Sequence, residues 1–141
     1  GIAGLGVAAK KCHTNSKTST EHMRKVLNRL KQKLVENIDN IRINTPQDCA
    51  PHILNVSFGG VRSEVLLHSL ENEGIYVSSG SACSSHKKEP SYVLTAIGVD
   101  RAMIDGSIRF SLCEFNTEEE ADRVAADAAA IVKRLRKLNL R

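Results

Sequence analysis

The stretch HILNVSF, residues 52–58, alternates apolar and polar side chains, a pattern that predicts a β-strand. Asn55 and Ser57 fall on one side of this strand because successive side chains point to opposite faces. The apolar positions on the other side are Leu54, Val56 and Phe58. The pattern therefore predicts a sheet that is buried on one face and polar on the other.

Three further segments have the composition of strands, and the last of them carries a charged residue on its polar side. These segments are IRIN at 41–44, IYVS at 75–78 and SIRFSL at 107–112. In SIRFSL the apolar side chains share one face, so Arg109 points to the opposite face with Ser107 and Ser111.

Helices are predicted where apolar residues recur every three or four positions. The predicted segments are 18–37, 62–72, 91–98 and the chain end from 117 onward. Gly74 follows the second segment as a left-handed stop, and Gly98 ends the third. The opening IAGLGVAAK, residues 2–10, is interpreted as a preceding helical segment. Thr117 and the glutamates after it form a capping box, and the terminal helix is predicted to be the longest.

This order of elements predicts an α+β fold, a small and mostly antiparallel sheet with helices packed on one face. The inward helix positions include Val65 and Leu138. A chain of 141 residues can bury a core of its own, so residues 1–141 are interpreted as a single domain. No apolar run approaches the roughly 20 residues that cross a bilayer, and the opening residues lack a secretory signal pattern, so we expect a cytoplasmic protein.

Charge and cysteine spacing exclude several classes of function. The net charge of +4 is concentrated in KRLRKLNLR at the chain end, where cations favour a helix C-terminus, and the chain has no Trp. A solvated helix end is therefore preferred to a nucleic-acid surface, and nucleic acid is an unlikely partner. The four cysteines contain no C-x-x-C pair, so neither a metal site nor a dithiol centre is predicted.

The stretch SSGSACSSHKKEP, residues 78–90, places Cys83 among small and basic residues. A thiol reacts as the thiolate, which needs access, hydrogen-bond donors and nearby positive charge. A reactive role for Cys83 is therefore preferred to that of a surface cysteine. His86 could shuttle protons, although a solvated role is favoured. Structural or incidental roles are favoured for Cys12 and Cys49, and Cys113 is left open.

Arg109 is the second candidate because a planar guanidinium between two serines suits a carboxylate. The spacing alone slightly favours an ordinary surface arginine.

Three segments in order, YVSSGSACSS, EPSYVLTAIG and SIRFSL with its trailing FNTEEE, closely resemble the C-terminal part of the NifS-like cysteine desulfurases of the class V aminotransferase superfamily. The resemblance extends over the whole chain. It implies the small C-terminal domain of a fold-type I, pyridoxal 5′-phosphate-dependent transferase that converts L-cysteine to L-alanine. Cys83 would accept the sulfur as a persulfide, and Arg109 would hold the substrate α-carboxylate.

The resemblance also implies that the cofactor lysine belongs to an upstream domain absent from this chain, so the chain alone is predicted to be inactive. It further implies a homodimer and a sulfur-acceptor protein such as an iron–sulfur scaffold, for iron–sulfur cluster assembly or tRNA thiolation. Cys113 and Glu114 stand where the family usually has a small residue, and the segment after Cys83 is unusually basic. Both departures bear on which protein accepts the sulfur and leave the expected reaction class unchanged. The alternatives are another class V aminotransferase, a selenocysteine lyase, or a standalone persulfide carrier.

Overall fold

The computed structural model describes residues 1–79 and 90–139, which fold into a four-stranded sheet and five helices. The helices are α1 (Ile2–Asn37), α2 (Ser63–Glu71), α3 (Tyr92–Ala96), α4 (Arg101–Ile104) and α5 (Glu118–Asn139). The strands are β1 (Ile41–Ile43), β2 (Ile53–Phe58), β3 (Ser78–Ser79) and β4 (Ser107–Ser111). Every neighbouring pair is antiparallel, and the strand order is β1-β2-β4-β3. The predicted α+β fold is confirmed.

The hydrophobic core lies between the sheet and the helices α1, α2 and α5. The register of β2 and β4 places Leu54 opposite Phe110 and Val56 opposite Ile108, and all four side chains are buried. The alternation of the two strands therefore fills one face of the sheet, as predicted. Leucines and alanines of the three helices cover that face, including Leu30, Leu34, Leu66, Leu70, Ala125 and Ala128.

Ion pairs join α1 and α5, which lie side by side over this core. Arg29 donates from Nε and Nη2 to the two carboxylate oxygens of Asp122, at 2.6 and 2.9 Å. These hydrogen bonds lower the pKa of Asp122 and raise the pKa of Arg29. Lys25 pairs with Glu118 at 2.6 Å one turn away. The pairs are exposed, so they orient the two helices more than they stabilise them.

The local signals for helix ends operate as predicted. Gly74 and Gly98 have φ values of 75° and 71°, a conformation that is strained for other residues. The Glu120 amide donates to Thr117 Oγ1 at 3.2 Å, and the Thr117 amide donates to Glu120 Oε2 at 3.1 Å. This reciprocal pair is a capping box. A hydrogen bond from the Asn116 side chain, and then the one from the Thr117 amide, hold the pKa of Glu120 below its usual value.

Several predicted boundaries and faces are wrong. The longest helix is α1, with 36 residues, because the opening segment continues into the predicted helix without a break. Strand β3 begins at Ser78 rather than residue 75, since only two residues pair with β4. Val65 and Leu138 are 45% and 61% exposed rather than inward. Helix α4 was not predicted because four residues are too few to establish a period.

None of the helices in the described part of the chain is long and apolar enough to span a membrane.

Candidate functional site

Arg109 lies at the centre of the sheet surface that faces away from the core. We call this surface, which carries Asn55, Ser57, Ser107 and Arg109, the polar face. The neighbours β2 and β3 place Asn55 and Ser78 directly opposite Arg109 on either side. Residues paired in this way share one face, so Asn55, Arg109 and Ser78 form a row across three strands.

The guanidinium of Arg109 is exposed and loosely held. Among residues 1–79 and 90–139 its side chain makes one hydrogen bond, a long one of 3.5 Å from Nη2 to Ser78 Oγ. Within residues 1–79 and 90–139, no acidic side chain pairs with Arg109. A planar cation with free donors on a sheet surface can bind a carboxylate through two parallel hydrogen bonds.

A second arginine on the polar face, Arg42, is used structurally. It lies opposite Ser57 and donates to the carbonyl oxygens of Gly98 and Ile97, at 2.8 and 3.3 Å. These bonds tie the end of α3 to β1. Arg42 therefore has fewer free donors than Arg109, although both lie on the same surface.

A network of amides and hydroxyls lies beside Arg109 on the polar face. Asn44 Nδ2 donates to Asn55 Oδ1 at 2.7 Å and to Ser57 Oγ at 2.8 Å. Ser107 Oγ donates to the same Asn55 oxygen at 3.0 Å, and the backbone N–H of Asn55 donates to Thr45 Oγ1 at 2.7 Å. Ser57 and Ser107 are buried although they lie on the polar side of their strands, and the network supplies the hydrogen bonds that their buried hydroxyls need.

One atom of this network has no partner. Asn44 Oδ1 is buried and accepts no hydrogen bond from any described residue. A buried oxygen without a donor costs free energy. The hydrogen bonds that the other side-chain atoms of the network make must offset this cost.

Cys83 and His86 lie outside the described residues, so the structure does not test where they are relative to Arg109. The segment that contains them follows β3, whose Ser78 is the contact of Arg109.

The other three cysteines lie away from the polar face network. Cys12 is on the exposed first half of α1, and Cys49 is partly buried in the segment between β1 and β2. Cys113 is exposed just after β4, and its amide donates to Asn116 Oδ1 at 2.8 Å. Cys113 thus belongs to the turn that precedes the capping box. The described residues contain no cluster of three or more side chains suited to a metal ion.

The described residues do not fit a complete pyridoxal phosphate site. Such a site needs a lysine for the cofactor and donors for its phosphate. The lysines of the described ranges lie on α1 and α5, which cover the opposite face of the sheet from Arg109. Lys25 and Lys33 are also engaged with Glu118 and Glu36. The polar face supplies an exposed arginine, Arg109, instead.

Sequence reasoning identified Arg109 and its face but gave Asn55 no role beyond filling the polar side of a strand. Asn55 becomes a candidate only through its pairing with Arg109 on β4. The two strands are distant along the chain, since Asn55 and its hydrogen-bond partner Ser107 are 52 residues apart. No local pattern contains that pairing.

Comparison with protein families gives a match over most of the chain. Residues 1–124 match the family described as Aminotransferase class-V. A protein named cysteine desulfurase from Nostoc sp. is 40% identical over 99% of this chain and 35% of its own length. The cysteine desulfurase of Rattus norvegicus is 38% identical over 98% of this chain and 30% of its own length.

Solved structures give the same relationship. A structure titled NifS-like protein has a TM-score of 0.79 and 34% identity, over 94% of this chain and 33% of that protein. The NifS-like protein from Rickettsia africae has a TM-score of 0.77 and 25% identity, over 94% and 34%. The chain thus spans about a third of the length of these relatives.

Proposed function

This chain belongs to the aminotransferase class-V family, and from that premise we propose that it is the C-terminal domain of a cysteine desulfurase. The observation that carries the proposal is the polar face, where Arg109 is exposed and lacks an ion pair within the described ranges, beside the strand that leads into SSGSAC. The relatives that carry the name cysteine desulfurase support the same reaction class. Because the chain spans a third of their length, the activity belongs to a complete protein.

In this proposal the complete protein converts L-cysteine to L-alanine. The carbon–sulfur bond of the substrate breaks, a sulfur–sulfur bond forms at the Cys83 thiolate, and a proton replaces sulfur on the substrate carbon. Family membership implies pyridoxal 5′-phosphate, which supplies an electron sink when bound. Its lysine would come from outside this chain, so we expect the 141-residue chain alone to be inactive.

Arg109 holds the substrate α-carboxylate in this proposal. Its guanidinium is exposed, its contact with Ser78 is long, and the neighbouring cation Arg42 is already tied to carbonyl oxygens. A ligand carboxylate can therefore replace one weak hydrogen bond by two charge-assisted ones.

The position of Cys83 along the chain is compatible with this arrangement. It follows Ser79, the last residue of β3, by four residues. Four residues span at most about 14 Å, which limits the separation between Cys83 and the strand that lines the Arg109 site. We therefore propose Cys83 as the nucleophile that accepts sulfur.

The proposal also includes the sulfur acceptor, the cellular compartment and the oligomeric state of the complete protein. The persulfide sulfur would pass to an acceptor protein such as an iron–sulfur scaffold, for cluster assembly or tRNA thiolation. The complete protein would be a cytoplasmic homodimer, with residues 1–141 as one domain. The roles of His86 and Cys113 are unassigned.

The first test is Cys83→Ser in the complete protein loaded with pyridoxal phosphate. We expect sulfide release from L-cysteine to fall to near background because serine cannot form a persulfide. Cys12→Ser is the matched control, since Cys12 is exposed on α1 away from the polar face, and its activity should be unchanged. Near-normal sulfide release by Cys83→Ser would contradict the desulfurase proposal and favour another class V aminotransferase or a selenocysteine lyase.

A second measurement addresses the persulfide carrier alternative. The isolated chain is incubated with a persulfide donor, and modified thiols are located by mass spectrometry. If the complete protein has no desulfurase activity but Cys83 is loaded in preference to the other thiols, the chain is a carrier instead.

A further inference from the structure

We infer that Asn55 is a second residue that binds the substrate carboxylate, through its side-chain amide Nδ2. The inference rests on the proposed function, in which Arg109 binds the α-carboxylate of an amino acid. Asn55 would make the site selective for a carboxylate over uncharged groups of similar size.

The first observation is the pairing of Asn55 with Arg109. The two residues are direct partners on the antiparallel strands β2 and β4, and both side chains lie on the polar face. Directly opposite residues have Cβ atoms about 4.5–5.5 Å apart. One carboxylate, with its two oxygens, can therefore contact both side chains.

The second observation is the orientation of the Asn55 amide. Its Oδ1 accepts from Asn44 Nδ2 at 2.7 Å and from Ser107 Oγ at 3.0 Å. The Oδ1 and Nδ2 atoms diverge from the same carbon, so holding the oxygen toward Asn44 and Ser107 turns the NH₂ group away from them. Within residues 1–79 and 90–139, Asn55 Nδ2 donates to no hydrogen-bond partner.

The orientation of the Asn44 and Asn55 side-chain amides follows from the burial of Asn44 Oδ1. Exchanging oxygen and nitrogen in both amides would preserve the contact between Asn44 and Asn55. The exchange would also move the Asn44 NH₂ group to the buried position that Asn44 Oδ1 now occupies. That position offers no hydrogen-bond partner, so the two N–H donors of the group would be left unsatisfied there. A buried NH₂ group without an acceptor costs more than a buried oxygen, because under-satisfied carbonyls are the more tolerated case. Asn55 therefore presents an NH₂ group to the outside of the network.

The third observation is the shortage of acceptors around this donor. Ser107 and Ser57 are already engaged with Asn55 and Asn44, and Arg109 can only donate. Asn55 Nδ2 and the Arg109 guanidinium thus form adjacent donors of net positive charge. A small anion with two acceptor oxygens satisfies both groups, and a carboxylate has this geometry.

The test uses the complete protein with its cofactor bound and measures dissociation constants for L-alanine and L-alaninamide by calorimetry. L-Alanine is the product of the proposed reaction, and its amide lacks only the carboxylate charge. We expect Asn55→Ala to weaken L-alanine binding roughly 10-fold or more, the usual effect of losing a hydrogen bond to a charged group. L-Alaninamide should lose much less, so the preference for L-alanine over its amide should fall.

Asn55→Asp separates this role from a structural one. Aspartate keeps an oxygen for Asn44 and Ser107 but replaces the outward NH₂ group with an acceptor, so binding of L-alanine should fall further than in Asn55→Ala. Ser111→Ala is the matched control, since Ser111 is exposed on the polar face at the far end of β4, opposite Ile53 of β2, and the change should leave both constants unchanged.

Each outcome decides the inference. Equal losses for L-alanine and L-alaninamide in both Asn55 variants would mean that Asn55 only supports the fold, and the inference would be overturned. Unchanged constants would overturn it as well. If the unmodified protein binds L-alanine and releases sulfide from L-cysteine, these results leave the proposed function intact. If the unmodified protein binds neither ligand, the proposed function and the inference both fail.

Discussion

Replacement of Gly106 by alanine should severely destabilise the sheet. Gly106 immediately precedes β4 and packs against the backbone where β2 ends. A Cβ atom placed there would lie 2.8 Å from the Val61 carbonyl oxygen and 3.0 Å from the Phe58 carbonyl carbon. Both distances are well inside the roughly 3.5–4.0 Å of an ordinary non-bonded contact. Because both partners are backbone atoms, no side-chain rotation can relieve the clash.

The expected loss follows from what must move. Separating the two segments strains the hydrogen bond from the Phe58 amide to the Gly106 carbonyl, which is 3.0 Å long. Overpacking costs about 1–3 kcal/mol and a lost hydrogen bond about 0.5–1.5 kcal/mol, so Gly106→Ala should lower the free energy of unfolding by about 2–4 kcal/mol. That is a large part of the roughly 5–15 kcal/mol of a typical domain.

The assay is urea denaturation of the 141-residue chain, followed by far-ultraviolet circular dichroism. Gly6→Ala is the matched control: it lies within helix α1 with nothing within 4 Å of its added Cβ. It should leave stability unchanged or raise it by up to about 1 kcal/mol, since alanine is the better helix former. A Gly106→Ala midpoint equal to that of the unmodified chain would refute the reasoning about close backbone approach.

Two further predictions concern the helix pair α1 and α5 and the proposed carboxylate site at Arg109. The Arg29 hydrogen bonds lower the folded-state pKa of Asp122 below the ordinary aspartate value of 3.8. The stability they give is therefore present above about pH 3.8 and is lost as pH falls through the lower, folded-state pKa. Asp122→Asn should therefore lower the urea midpoint at pH 6 by a small amount, since the pair is partly exposed, and the difference should close on acidification below about pH 3.8. A difference that is constant with pH would contradict this assignment. In the complete protein, Arg109→Lys should raise the KM for L-cysteine more than it lowers kcat, because lysine keeps the charge but not the two parallel hydrogen bonds. Steady-state kinetics would argue against a carboxylate role if KM were unchanged.

Local patterns in the sequence predicted much of the fold because they depend on neighbours only a few residues away. The alternation at 52–58 and 107–112 fixed which side chains enter the core, and it placed Arg109 on the opposite face. Gly74 and Gly98 were predictable helix ends because the ability of glycine to adopt a positive φ without strain is a property of the residue itself.

The predictions failed where the outcome depended on contacts distant along the chain. Val65 has the helical spacing of a core residue but is 45% exposed, whereas Leu66 and Leu70 of the same helix are fully buried. The packing of α2 against its neighbours decides which of its side chains are covered. Ser57 has the pattern of a solvent-facing residue yet is fully buried, since Asn44 reaches across from the end of β1 to donate to it.

The sequence by itself thus determined the α+β class and the faces of its strands, and it identified Arg109 and Cys83 as the candidates for chemistry. Only the tertiary structure decided the strand order β1-β2-β4-β3, which places Asn55 and Ser78 on either side of Arg109. The physical reason is that periodicity sets the face a side chain occupies, whereas its neighbour on that face is set by pairing between distant segments. The site is such a set of neighbours, so its composition follows from the register of the sheet.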